Sequence, residues 1–123
     1  MNQTAKADAG KPKLTLVPRQ IIYDIAEVRE YGNKKYGNPD NWKTVEIERY
    51  RDAAFRHFMA YLDNTQGVDE ESGISHLKHL ACNIAFLCEL EKLKERVVAL
   101  REEYLKARLI DKQRKEDESN DCI

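Results

Sequence analysis

Glu27 and Glu30 stand three residues apart in EVRE, a spacing that puts two carboxylates on one side of a helix. Two such groups can hold Mg²⁺, which takes hard oxygen ligands and keeps several of its waters. In a chain with 35% charged residues, the same pair also reads as a solvated acidic face. Glu48 and Asp52, four apart, repeat the arrangement. If the helices carrying the two pairs packed antiparallel, four carboxylates would meet along one seam. Arg49, Arg51 and Arg56 are the neighbours that would neutralise them. The three histidines are His57, His76 and His79, with Asp69 in an Asp-Glu-Glu run just before the last two. Three imidazoles and a carboxylate suit Zn²⁺ or Mn²⁺. As donors they equally suit phosphate oxygens. The plainer alternative is one satisfied core histidine and a surface pair.

A second constellation is basic and aromatic: Lys34, Lys35, Tyr36 and Trp42 within YGNKKYGNPDNW, and Arg56 beside His57. Cations grip phosphates, and aromatic faces stack on bases. Trp42 taken alone reads as the anchor of its loop on the core. No Walker loop, GxGxxG or GxSxG is present, no cysteine carries a nucleophile's signature, and no basic recognition helix stands out.

The elements that must position these groups are helical. Pro18 opens helix one as a good first-turn residue, Ile21, Ile25 and Val28 recur on one face, and Gly32 is the expected stop. Residues 31–42 are expected as a loop. Helix two is expected from Thr44, as its cap, to Asp63, with an apolar stripe of Ile47, Tyr50, Ala54, Phe58 and Tyr61. Helix three is expected from Ser75 to about Asp111. From Phe86 its apolar residues step by four and three through Leu90, Leu93, Val97, Leu100, Tyr104 and Ala107, the coiled-coil spacing. A helix of that length outruns a small core, so its far half calls for a second copy of the chain. The expected fold is all-α: a small helical bundle with a long C-terminal helix forming a coiled-coil oligomer interface. Residues 1–10 are expected to be disordered, 11–18 to form a short extended segment, 11–110 to form one all-α domain that includes the coiled-coil helix, and 111–123 a charged, frayed tail.

With 123 residues there is room for one domain. Twenty-one basic against 22 acidic residues give no global field for nucleic acid or anionic membrane, and neither partner is expected. No apolar run reaches the length of a membrane span, and the N-terminus has no secretory core. Three cysteines without CxxC spacing read as reduced thiols of a cytoplasmic protein.

The stretches GKPKLTLVP, AEVREYGNKKYGNPDNW, YRDAAFRHFMAYL and VDEESGISHLKHLACNIAFL together resemble the N-terminal domain family of phage dATP/dGTP diphosphohydrolases, near the all-α MazG-type nucleoside triphosphate pyrophosphatases. The resemblance implies hydrolysis of a purine deoxynucleoside triphosphate to monophosphate and pyrophosphate with Mg²⁺ (or Mn²⁺), in a host cytoplasm if phage-encoded. Glu27 and Glu30 match the ExxE half of the pattern and are the implied catalytic and metal-holding pair. The second half should read ExxD. Here Glu48-x-x-x-Asp52 is one residue longer, and His76 and His79 stand where carboxylates belong. Asp69 completes the candidate metal set. Lys34, Lys35, Tyr36, Trp42, Arg56 and His57 are the candidate nucleotide contacts. A second reading, from a different class, is a homo-oligomer that captures a nucleotide, such as an immune signal, without cleaving it. A third is an adaptor whose only active element is its coiled coil.

Overall fold

The computed structural model describes residues 7–121. It contains three α-helices: α1 (Gln20–Tyr36), α2 (Ile47–Asp63) and α3 (His76–Asp121). The all-α expectation holds. Among the described residues no helix is long and apolar enough to cross a membrane.

Three boundaries differ from the sequence reading. First, α1 runs through Gly32 and stops at Gly37, so residues 31–36 are helix and not loop. Gly37 adopts the left-handed conformation (φ 68°) and its N–H closes on the Asn33 carbonyl at 2.8 Å, the arrangement that ends a helix. Second, Thr44 does not cap α2. It belongs to a 3₁₀ turn, Asn41–Thr44, where its hydroxyl donates to the Asn41 carbonyl at 2.8 Å. The helix begins after Glu46 instead. Third, the tail expected to fray from Asp111 continues as helix to Asp121. Lys115 and Arg114 both reach Asp111, and Gln113 reaches Asp117, pairs that support an exposed helix. Residues 11–18 also depart from an extended strip, since Leu14–Leu16 form a 3₁₀ turn with Leu14 and Leu16 exposed. Much of the stretch expected to be disordered, and Cys122, lie outside the described residues.

Both α1 and α2 pack on α3. Their inward faces meet its first half, where Cys82 is 1% exposed, and Ala54 of α2 is the other buried apolar residue among the described residues. The Cys82 thiol is pushed up to about 11 by burial, so it behaves as a small hydrophobe and not as a nucleophile. The α2–α3 connection folds tightly. Val68 bridges Ser75, Asp69 N–H donates to the Ile74 carbonyl at 2.8 Å, and Gly73 supplies the left-handed residue (φ 71°). Ser75 then caps α3, its hydroxyl accepting the Lys78 N–H at 3.2 Å. This turn brings His76 and His79 of α3 under His57 of α2. Beyond Leu90 the apolar residues of α3 are exposed.

Candidate functional site

A cavity of about 770 Å³ opens where the end of α1, the loop after it, α2 and α3 converge. That is the size of a small-molecule site. One wall is aromatic. Trp42 stacks on Phe86 with ring centres 4.8 Å apart and 16° between planes, and Tyr50 tilts against Phe86 at 4.9 Å. The Tyr50 hydroxyl donates to the Trp42 carbonyl at 2.7 Å, which ties the loop to α2. Arg29 holds the same loop from α1. It donates to the Pro39 carbonyl, and its guanidinium lies 5.2 Å from the Phe86 ring centre and 5.9 Å from that of Trp42. Trp42 therefore anchors its loop, and Phe86 occupies one of its faces.

The opposite wall is polar. Lys35 forms an ion pair with Glu71 across the mouth. Arg49 and Arg56 stand exposed on the α2 wall, outside the ion pairs that engage Lys35 and Arg51. His57 and His79 complete it, their rings stacked at 4.8 Å and 11°. His57 Nδ1 lies 3.0 Å from His76 Nδ1, so one nitrogen donates while the other accepts. His79 Nε2 meets the Ser72 hydroxyl at 2.7 Å. Asp69 folds its carboxylate back onto the Glu71 and Ser72 N–H groups, which shapes the turn beneath. Burial lowers the pKa of both His57 and His79. The neighbouring histidines lower His57 further, and the Asp69 carboxylate partly opposes the shift at each. Both rings are thus held toward the neutral form.

Of the residues singled out in the sequence, Lys35, Tyr36, Trp42, Arg56 and His57 line the cavity, as do Asp52, Asp69 and His79. His76 sits behind this wall, bonded to His57. Lys34, Glu27, Glu30 and Glu48 lie outside the lining. Glu27 pairs with Lys78 of α3 at 2.7 Å, and Glu48 pairs with Arg51, which also bridges to Glu91 at 2.6 Å. The seven candidate metal ligands are not gathered at one point: among the described residues no three His, Cys, Asp or Glu side chains are grouped to hold an ion. Sequence reasoning missed Arg29, Asn83 and Glu71 as walls, and placed Tyr50 and Phe86 only as apolar spacers. The clustering of Tyr50, Phe86 and Trp42 was readable in principle as an aromatic set. A lone arginine or asparagine within a helix gives no such signal.

Residues 1–99 match the family model described as dATP/dGTP diphosphohydrolase, N-terminal. This chain belongs to that family. A curated relative, the dATP/dGTP diphosphohydrolase of Salmonella phage PMBT28, is 35% identical over 82 residues, which are 67% of this chain and 28% of the relative. The match thus spans little more than a quarter of that protein's length. No solved structure matches the chain. The residues that line the cavity, Arg29 through Phe86, lie within the matched region.

Proposed function

We propose that the cavity binds a purine deoxynucleoside triphosphate and that this chain captures it without cleaving it. The observation that carries the reading is the meeting of free cations and an aromatic wall in one cavity of about 770 Å³. Arg49 and Arg56 would take phosphate oxygens, with His57 and His79 as neutral donors or acceptors beside them. Tyr36 and the open edge of Trp42 would meet the base.

Hydrolysis to monophosphate and pyrophosphate is the second reading, favoured by the family to which the chain belongs. Mg²⁺ or Mn²⁺ would supply the Lewis acid for it. The carboxylates do not fit that group as they stand. Glu27 and Glu48 are engaged by Lys78 and Arg51, Glu71 by Lys35, and the Asp69 carboxylate by backbone N–H groups. Asp52 is the cavity carboxylate outside these contacts among the described residues, and Glu30, also outside them, lies off the cavity lining. No hydrolytic step is therefore assigned to them.

One experiment separates the readings. The protein is incubated with dATP and dGTP, with Mg²⁺ and separately with Mn²⁺, and both nucleotide integrity and melting temperature are measured. Capture predicts intact nucleotide and a melting temperature that rises with nucleotide concentration. Pyrophosphate release that disappears in Glu30→Gln establishes hydrolysis instead. No melting shift with either nucleotide and no release would leave the adaptor reading.

A further inference from the structure

The accessible surface of the chain is 10682 Å². A compact 14.3 kDa monomer exposes about 6,800 Å² by the usual scaling with mass. The excess is roughly 3,900 Å² per chain, and covering about a quarter of it on each of two chains would reach the ~2,000 Å² total at which obligate interfaces begin. Two apolar stripes contribute to this excess. On α3 beyond the bundle, Leu93, Val97, Leu100 and Tyr104 are all more than half exposed, and Val98, Leu105 and Leu109 form a second ridge beside them. On α2, Phe55, Phe58, Met59 and Leu62 form an outward stripe at the spacing of a buried helix face, and all four are exposed. Isolated exposed apolar residues need no partner, whereas two helical stripes in one small chain do.

We infer that the occupant is a second copy of this chain, paired antiparallel along the distal half of α3, with its passing helix covering the outer stripe of α2. The seam supplies the pairing surface, because its four-three spacing is self-complementary. The orientation follows from the bundle. Phe86 begins the seam and also stacks against Trp42 and Tyr50, so α1 and α2 occupy the seam side of the proximal half. A parallel, in-register pair would drive the two bundles into the same space. An antiparallel pair sets them at opposite ends, and each helix then runs on past the flank of the other's bundle. The flanking charges taken alone favour the other orientation: a parallel pair would match Glu89 with Lys94 and Glu103 with Arg108 against one Arg96–Arg101 repulsion, whereas an antiparallel pair sets Lys94, Arg101 and Arg108 against one another. These exposed pairs are each worth about 1 kcal/mol or less, so the bulk of the bundle decides.

The inference is independent of what the cavity binds. Its test uses the full chain. Light scattering should give a mass of two chains or an even multiple of it, and a monomer mass overturns the pairing. Val97→Asp with Leu100→Asp should convert the particle to monomer, and an unchanged mass removes the seam. Orientation is read on the otherwise unaltered assembly from a fluorophore pair at Ser119→Cys, with Cys88 and Cys122 replaced by serine. Antiparallel pairing places the two labels more than about 40 Å apart. Strong energy transfer, with labels within about 25 Å, overturns the antiparallel arrangement.

Discussion

The two halves of α3 have similar apolar periodicity and opposite surroundings. From His76 to Leu90 the helix carries α1 and α2, and most of its inward residues are at least half covered. From Glu91 to Ile110 every residue is exposed. The pattern of side chains does not change at the boundary; the supply of partners does. Hydrophobic spacing states that a face must be covered, and the rest of the molecule decides by what. The proximal half uses its own chain and acquires a cavity. The distal half is left uncovered by its own chain and carries none of the cavity's residues.

Four measurements test that division. The largest effect belongs to the proximal half. Phe86→Ala removes the ring under Trp42 and beside Tyr50, and should lower stability by about 2–3 kcal/mol, below the fully buried range because the ring is only partly covered. Chemical denaturation at fixed protein concentration reads it. A loss under about 0.5 kcal/mol would mean that the aromatic wall is not part of the core. Next, Arg56→Ala should weaken dGTP or dATP binding by roughly ten- to a hundredfold, as expected for a charge-assisted contact, while the ligand-free melting temperature stays put. Calorimetric titration against the parent protein decides it, and equal affinities would remove Arg56 from the site.

The third is a pH dependence confined to the proximal half. His57 and His79 have folded pKa values below their ordinary ones, so the unfolded chain takes up protons first as pH falls. Their contribution is present above about pH 6.5 and is lost as the pH drops through the lowered folded values. The melting temperature should therefore fall between pH 7 and 5, and His79→Gln should flatten that slope. A variant with the parent's slope would show that these rings are not the cause. The smallest effect lies at the boundary itself. Arg51 ties α2 to Glu91, the last link before the bare segment, but both side chains are nearly half exposed. Glu91→Gln should cost about 0.5 kcal/mol or less and vanish in high salt.

The three helices were legible because Ile21, Ile25, Val28, the α2 stripe and the heptad of α3 repeat strongly. Their ends were less legible. Gly32 and Gly37 look alike in sequence, yet only Gly37 takes the left-handed backbone that turns the chain. The charged end of α3 looked frayed because it has no apolar face, whereas its own ion pairs support it as helix. The site was half legible. Residue type found Lys35, Trp42, Arg56 and the histidines, which do share one region. It did not show that Lys78 would approach Glu27 from another helix, since that contact joins residues far apart in sequence. Nor could it show Arg29 reaching the Pro39 carbonyl, because a helix of α1's length positions that arginine only once Gly37 has turned the loop back.

One unbroken rod joins the pocket to the bare segment. Asn83 and Phe86 touch the pocket, and the same hydrogen-bonded ladder runs without interruption to Asp121. At 1.5 Å per residue, the span from Phe86 to that tip is about 50 Å. A lever of this length would convert each degree of tilt at the pocket into roughly 1 Å of travel at its tip.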